Sequence, residues 1–447
     1  MNKIEAVQQY LEDNYADRLR FDVVSDKLEI AVDDLFESQG CAMVVADKRR
    51  HVVGSDTTTT HNPQGNKEHE EGEALMWREL TKRDINSMVC ACCNETGKNI
   101  TDREIRCVLH SDFVPQVHPP REYLNSLTPY EPANVFSPLD YLASQVVVEG
   151  GEAEQQLWHD TFIRWFVAMV AAWRSDEVVN QHVLVLIGPQ GIYKTTWLER
   201  LIPPCLRPYS TKMANVRDLN KDERLRVAES VLINIDEIDS MSDRELNQMK
   251  SLITATDVNE RAAYGYNKER RLRLASFCAS GNKDQFLTDT TGNRRWLPFR
   301  VVSILNPYDN LYQPYDKYYA QALYMIDHGF EYWFNQRRIQ TLSEHVETFH
   351  KETSEEQLLP VFYEPATKDT PDAVFRTAAE ISARLTFLGN IRQPMELRQL
   401  GKLLSCHHFV SVRVHGGIRG FFVIEHTHNQ ADARKIVEQY NQERDTF

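Results

Sequence analysis

The chain has 447 residues, 42% hydrophobic and 26% charged, so it is long enough for two or three domains with a substantial core. Its net charge of −14 argues against a protein whose whole surface coats nucleic acid, but not against a local basic channel. The sequence has no run of eighteen apolar residues and no signal-peptide pattern, and its eight cysteines do not suggest a disulfide framework. We therefore expect a cytoplasmic protein with no membrane partner.

The first part of the chain, residues 1–125, is predicted to be a mostly helical α+β accessory domain. Apolar residues share one helical face in residues 4–15, and residues 20–30 have the pattern of a small hairpin. Residues 54–73 are rich in threonine and acidic residues and are predicted to form a mobile loop. The pattern becomes helical again over residues 77–110.

The central part of the chain, residues 126–345, is predicted to form a second domain. Its most apolar helix candidate is Leu157–Trp173, whose aromatic residues we assign to the core. The run Val183–Ile187 is typical of a strand buried on both faces, and it leads into a Gly-rich loop and the start of a helix. Such a loop binds a triphosphate through its amides and the helix dipole. We therefore predict that residues 126–345 are a P-loop ATPase domain. The predicted nucleotide-binding residues are Gly188, Pro189, Gln190, Gly191, Ile192, Tyr193, Lys194, Thr195 and Thr196.

Two of these residues carry specific chemistry, and one departs from the usual pattern. Lys194 is predicted to reach the β- and γ-phosphates, and Thr195 to ligate Mg²⁺. Tyr193 stands where the P-loop pattern has a glycine, which leaves the geometry of the loop open. The alternative is a chance strand–turn–helix with an ordinary surface lysine.

A second apolar strand candidate, Val231–Ile235, ends in two acidic residues. In P-loop ATPases the first carboxylate at this position, here Asp236, holds Mg²⁺, and the second, here Glu237, orients or deprotonates the attacking water. The alternative is a strand end with solvated acidic side chains. The position downstream of the Gly-rich loop favours the catalytic interpretation.

The next stretch is locally basic. Residues 258–264 and 271–279 are strand-like and are joined by a turn, and eight Lys/Arg against three acids fall between residues 265 and 300. Such a hairpin could present cations and an aromatic tip to single-stranded DNA. A solvated surface hairpin is the alternative. The predicted nucleic-acid-binding residues are Tyr266, Lys268, Arg270 and Arg271.

A third strand candidate, Leu274–Ser280, leads to Asn282, whose side chain would face the γ-phosphate or the attacking water. Arg294 and Arg295 follow in a Gly-containing loop and suit an arginine finger supplied across a subunit interface. A structural salt bridge with Asp284 or Asp289 is the competing interpretation. The predicted catalytic residues are thus Glu237, Asn282, Arg294 and Arg295.

The last part, residues 360–447, is predicted to be a winged-helix-like domain. A capping box starts a helix at residues 377–380, a second helix covers residues 395–407, and a hairpin covers residues 410–424. The order helix, helix, hairpin fits a winged helix that binds duplex DNA, or one that only docks against a neighbour.

These motifs together resemble the virulence-associated protein E family of P-loop ATPases from phages, plasmids and integrated elements. The resemblance rests on the P-loop, the Ile235-Asp236-Glu237 strand end, Arg261 and Tyr264, Ser280-Gly-Asn282, and Thr291-Gly-Asn-Arg-Arg-Trp296. It implies an α/β fold with an AAA+-like core akin to superfamily 3 helicases, ATP and Mg²⁺ as cofactors, Asn282 as sensor, and the 258–279 hairpin as a pore loop.

The function expected from these features is an ATP-hydrolysing, DNA-associated helicase-like motor for replication of a mobile element. It would form a homo-oligomeric ring around single-stranded DNA. The alternative is a nucleotide-switched regulatory or phage-defence interaction protein without unwinding activity. A kinase is disfavoured because paired acids and twin arginines suit hydrolysis by water.

Overall fold

The computed structural model describes residues 2–32, 76–132, 137–213, 221–260, 269–287, 293–309, 312–350, 353–392, 394–414 and 416–427. The chain is a mixed α/β protein with several sheets, and it divides into two compact units, Met1–Phe349 and His350–Phe447. Among the described residues, no helix has the length and apolarity needed to cross a bilayer. The predicted loop at residues 54–73 lies outside the described residues.

The N-terminal part of the first unit combines helices with a four-stranded sheet in the order β3-β2-β1-β4. Its elements are α1 (Lys3–Tyr15), β1 (Leu19–Asp22), β2 (Lys27–Val32), β3 (Met76–Glu79), α2 (Lys82–Thr96), α3 (Asp102–Leu109), β4 (Gln116–Val117) and α4 (Pro119–Ser126). The predicted first helix and the β1–β2 hairpin are confirmed. The helical pattern predicted over residues 77–110 is confirmed for α2 and α3, but it is wrong for its first residues, since Trp77 pairs with Ala31 in the sheet. The Arg20 guanidinium lies 4.2 Å from the centre of the Trp77 ring, a long-range contact that sequence periodicity cannot show.

The rest of this unit is built on a six-stranded sheet in the order β5-β12-β6-β11-β8-β7. Neighbouring strands from β12 to β7 are parallel, and β5 is antiparallel to β12. The elements are α5 (Pro138–Ser144), β5 (Val146–Val148), α6 (Gly151–Arg174), β6 (Val183–Ile187), α7 (Lys194–Glu199), β7 (Ser210–Met213), α8 (Lys221–Glu229), β8 (Leu232–Ile235), α9 (Asp243–Thr254), β9 (Asp257–Glu260), β10 (Glu269–Leu272), β11 (Ser276–Gly281), β12 (Trp296–Ile304), α10 (Tyr315–Asp327) and α11 (Gln336–Glu347).

Helix α6 forms the centre of the core, as its apolar pattern predicts. Its aromatic side chains Trp158, Phe162, Trp165, Phe166 and Trp173 are fully buried. The buried indole N–H of Trp158 donates to the carbonyl of Ala143 at 2.9 Å, so this polar group keeps a partner in the core. Each such ring removes a large apolar area from water. Helix α6 therefore stabilises the six-stranded sheet by apolar packing against it.

The predicted basic hairpin exists, but its second strand is shorter than expected. β9 pairs with β10 in antiparallel register, and β11 is a separate strand of the large sheet. Arg273 interrupts the run because its guanidinium turns inward and donates to the carbonyls of Asn180 (2.7 Å), Ala255 (3.4 Å) and Ile253. The expectation of one strand from residue 271 to residue 279 is therefore wrong.

The second unit contains helices packed on one small sheet. Its elements are α12 (Ser354–Phe362), β13 (Tyr363–Pro365), β14 (Val374–Arg376), α13 (Ala378–Gly389), α14 (Leu397–Cys406), β15 (Ser411–Arg413) and β16 (Arg419–Glu425). The predicted capping box of α13 and the β15–β16 hairpin are confirmed. β16 also pairs with β13 and β14, two strands that were not predicted from the sequence.

Candidate functional site

An open cleft of about 410 Å³ lies at the carboxyl edge of the parallel strands β6, β8 and β11. Since β11 lies between β6 and β8 in the sheet, the loops that follow all three strands meet at this edge. The lining residues are Gln190, Gly191, Tyr193, Lys194, Thr195, Thr196, Asp236, Glu237, Ser280, Gly281, Asn282 and Tyr308. Most of the predicted nucleotide, metal and catalytic residues are thus brought together.

The backbone of the loop after β6 depends on glycine at two positions. A Cβ atom on Gly188 would lie 2.5 Å from the carbonyl oxygen of Val301, so only glycine fits there. Gly191 has φ of +87°, in the left-handed region that glycine tolerates. Tyr193 also has a left-handed φ, of +68°. For a residue with a side chain this conformation costs about 1–2 kcal/mol, which explains why the P-loop pattern has glycine there.

Lys194 is buried at the centre of the cleft wall. Its Nζ atom lies 2.7 Å from the carbonyl oxygens of both Gly188 and Pro189 and 3.4 Å from Oδ1 of Asn282. Burial lowers the pKa of this amine, while the charges of Asp239 and Asp236 act in the opposite direction. Its described partners are neutral oxygens of its own loop and of Asn282, which an anionic phosphate oxygen would replace with a stronger charge-assisted contact. The side chain therefore fits a phosphate-binding role.

Three side-chain oxygens form a connected group beside Lys194. Oγ of Ser280 donates to Oδ1 of Asp236 at 2.8 Å, and Oγ1 of Thr195 lies 3.0 Å from Oγ of Ser280 and 3.4 Å from Oδ1 of Asp236. Hydroxyl and carboxylate oxygens are hard ligands of the kind that Mg²⁺ takes. Within the described residues no three His, Cys, Asp or Glu side chains cluster for a metal. The group thus fits Mg²⁺ held by one carboxylate, a hydroxyl and phosphate oxygens.

Glu237 follows Asp236 at the cleft wall and is exposed. Its φ of +54° is left-handed, and its N–H donates to Oδ1 of Asp236 at 3.2 Å. The Asp236 carboxylate lies beside the hydroxyls, while Glu237 is exposed and lines the cleft. A carboxylate in that place is suited to accept a proton from water.

Three residues with a role at this site were not among the predicted site residues. Ser280 bridges Thr195 and Asp236. Asp239 accepts a hydrogen bond from the backbone N–H of Asn282 at 3.1 Å. Tyr308 follows β12 and lines the cleft. The polar end of the β11 run was a signal for Ser280, whereas no local pattern marks Tyr308, because only the sheet order brings the end of β12 beside β6.

The two predicted finger arginines lie away from this cleft. Arg294 and Arg295 form a short 3₁₀ turn with Asn293 directly before β12. The parallel register pairs Trp296 with Val183, so this turn lies at the amino edge of the sheet, while the cleft lies at the carboxyl edge. Burial, together with the charges of Arg294 and Arg295, lowers the pKa of the neighbouring His182 to about 4. One chain therefore does not place these arginines at its own cleft.

The predicted nucleic-acid contacts have different placements. Tyr266 and Lys268 lie outside the described residues, as do Arg261 and Tyr264. The side chain of Arg270 is 69% exposed and pairs with Asp257 at 2.9 Å. That of Arg271 is only 13% exposed, since it pairs with Glu229 at 2.7 Å and donates to the carbonyl of Val24. Arg270 is thus accessible to a partner, and the Arg271 guanidinium is occupied within the chain.

The family comparison covers the region that contains the cleft. Residues 142–351 match the virulence-associated protein E-like domain. All the residues that line the cleft lie inside this match. Among curated proteins, no match was found.

Solved structures of the NrS-1 C-terminal region are similar to the chain at a low level. The apo A form has a TM-score of 0.41 with 10% identity, covering 94% of this chain and 99% of that one. A second apo structure of the same region has a TM-score of 0.41 with 10% identity, covering 95% and 100%.

Proposed function

We propose that the protein is an ATP-hydrolysing, DNA-associated motor that serves the replication of a mobile genetic element. The observation that carries the proposal is the meeting of Lys194, Thr195, Asp236 and Ser280 at one edge of the parallel sheet. In this proposal residues 126–345 form a P-loop core of the AAA+ or superfamily 3 type. Residues 1–125 are an accessory domain, and residues 360–447 are a winged-helix-like domain.

Each side chain in the cleft has a distinct task in this scheme. Lys194 exchanges the carbonyls of Gly188 and Pro189 for the oxygens of the β- and γ-phosphates. Thr195 and Asp236 hold Mg²⁺, which when bound neutralises charge on the phosphates during transfer to water.

Two further side chains of the cleft, Glu237 and Asn282, act on the attacking water and on the γ-phosphate. Glu237 orients the attacking water and accepts its proton. Asn282 already touches Lys194 through its Oδ1 atom, so its amide N–H₂ group is the one that can donate to the γ-phosphate. Its backbone N–H donates to Oδ1 of Asp239 at 3.1 Å, which holds the backbone at this point of the cleft.

The position of the arginines supports a shared site and hence an oligomer. Arg294 and Arg295 lie at the amino edge of the sheet, so they would stabilise the transition state in a neighbouring copy. A contact between unlike faces of identical chains closes into a ring when the rotation allows it. The β9–β10 hairpin, with Arg270 exposed near its base, would then contact single-stranded DNA in the ring.

The position of Arg294 and Arg295 away from the cleft also favours a second candidate function, that of a nucleotide-switched protein. A single chain that holds nucleotide without Arg294 or Arg295 at its own cleft would bind it without rapid turnover. Such a protein would be a nucleotide-switched regulatory or phage-defence factor, without unwinding activity. Its function would then depend on its interactions with other molecules and not on ATP hydrolysis.

One experiment separates the two functions. The ATPase rate is measured with and without single-stranded DNA, and the mass in solution is measured with and without nucleotide. The motor predicts a rate that DNA increases and a mass of several chains, whereas the switch predicts a monomer indifferent to DNA. Lys194→Ala is the negative control, and retained ATPase activity in this variant would show that the site assignment is wrong.

A further inference from the structure

Two tyrosine rings form an aromatic wall on one side of the polar cleft. Tyr193 and Tyr308 both line it, their ring centres are 6.1 Å apart, and the rings meet at 69°. Both rings are accessible, with 36% of Tyr193 and 63% of Tyr308 exposed. The charged and hydroxyl groups of the cleft include those of Lys194, Thr196 and Glu237 and the connected oxygens beside Lys194. The cleft therefore has one polar side and one aromatic side.

The backbone conformation of Tyr193 indicates that its ring has a function. It occupies a left-handed backbone conformation that glycine would adopt without strain. Strain of this kind persists where the surrounding structure or the function demands it. Since the ring is not buried in the core, packing does not account for it.

Tyr308 is held in place by its own turn and by a neighbouring cation. Its backbone N–H donates to Oδ1 of Asn306 at 3.0 Å, an Asx-type turn. The guanidinium of Arg200 lies 4.9 Å from the centre of the Tyr308 ring and also donates to the carbonyl of Pro307. A cation above an aromatic face stabilises its position. The ring is thus positioned before any ligand arrives.

We infer that Tyr193 and Tyr308 form the subsite for the base of a bound nucleoside triphosphate. The inference rests on the proposed function, because Lys194 and Thr195 must hold the phosphates at the polar side. The cleft of about 410 Å³ is within the range of small-molecule sites, and a base extending from the phosphates meets the aromatic wall. Aromatic stacking accepts any base, so the wall adds affinity for both ATP and GTP.

The test compares a ligand that has a base with one that has none. Dissociation constants for ATP and for inorganic tripolyphosphate are measured by calorimetry in Mg²⁺ for the wild type, Tyr308→Ala, Tyr308→Phe and Tyr193→Gly. Tyr312→Ala is the matched control: this tyrosine is 52% exposed and packs against Tyr141, and it does not line the cleft. Thermal melting confirms that each variant is folded.

The expected result is a selective loss of base affinity. Tyr308→Ala should raise the Kd for ATP about tenfold and leave the Kd for tripolyphosphate unchanged, since stacking on one ring contributes about that factor. Tyr193→Gly should act in the same direction, and Tyr308→Phe and Tyr312→Ala should match the wild type.

Two outcomes overturn the inference, and they are distinguishable. If tripolyphosphate binds and Tyr308→Ala changes both constants equally or neither, the aromatic wall does not hold the base, while the phosphate site stands. If the wild type binds neither ligand, the proposed function fails and the base subsite fails with it.

Discussion

The Oγ atom of Ser280 donates a 2.8 Å hydrogen bond to Oδ1 of Asp236, so the ends of two adjacent parallel strands are joined inside the cleft. The same hydroxyl lies 3.0 Å from Oγ1 of Thr195 at the start of α7. Ser280 therefore links the two predicted Mg²⁺ ligands, and it should set the distance between them.

Replacing Ser280 with alanine should weaken the apparent affinity for Mg²⁺ more than it lowers the stability of the fold. Loss of one hydrogen bond of about 1 kcal/mol should raise the Mg²⁺ concentration for half-maximal ATPase activity about fivefold. Titration of the activity with Mg²⁺ measures this change. Ser276→Ala is the control, because Ser276 is buried on the same strand and its hydroxyl contacts Asn180, away from the cleft. An unchanged Mg²⁺ dependence in Ser280→Ala contradicts the prediction.

Two inactive variants should restore each other if the site is shared between copies. Lys194→Ala keeps the arginines but loses the phosphate contact, whereas the double variant Arg294→Ala/Arg295→Ala keeps the cleft. An equal mixture in a ring should place intact cleft and intact arginines together at about one quarter of interfaces. The ATPase rate of the mixture, compared with each variant alone, checks this. A mixture as inactive as its components argues against action of these arginines in trans.

Replacing Arg273 with methionine should destabilise the first unit strongly. This guanidinium is 4% exposed, and burial lowers its pKa to about 9. It donates to several backbone carbonyls, including that of Asn180 at 2.7 Å, and methionine would leave them unsatisfied. The free energy of unfolding should fall by about 3 kcal/mol or more, as measured by urea unfolding.

The matched control for Arg273 is Arg270→Met, three residues earlier on β10. Arg270 is exposed and pairs with Asp257 at the surface, so its loss should change the free energy of unfolding by less than about 1 kcal/mol. If both substitutions lowered the free energy of unfolding equally, the buried contacts of Arg273 would not be what stabilises this unit.

His182 should make the stability of the first unit depend on pH. Burial and the two arginines lower its pKa from 6.5 to about 4, so the folded chain holds it neutral while the unfolded chain protonates it near pH 6.5. Its contribution is fully present above pH 6.5 and is lost as the pH falls toward 4. The free energy of unfolding should drop by about 1–2 kcal/mol between pH 7 and pH 5 from this group.

The measurement is urea unfolding at the two pH values in the wild type and in His182→Phe. Phenylalanine keeps a ring against Phe334, whose centre lies 4.6 Å from that of His182, and it cannot take a proton. The variant should show a smaller loss of stability at pH 5. Equal losses in both proteins would show that His182 does not titrate in this range.

Local pattern in the sequence was sufficient for the elements that carry the cleft. The apolar run of β6, the glycines after it and the acids after β8 are each encoded within a few residues, because burial on both faces and tight turns impose local composition. The same holds for α6, whose aromatic side chains follow the helical period. These segments were predicted with the correct type. β6 has the predicted bounds, β8 begins one residue later than predicted, and α6 begins at Gly151 instead of Leu157.

Tertiary structure alone decided which of these groups meet. The insertion of β11 between β6 and β8 brings Ser280 to Asp236, and the return of the chain after β12 brings Tyr308 to Tyr193. The parallel register puts Arg294 and Arg295 at the edge opposite to Lys194, although they are close in sequence to Asn282. Strand order and register depend on contacts between distant segments, and the local periodicity of the sequence does not determine those contacts.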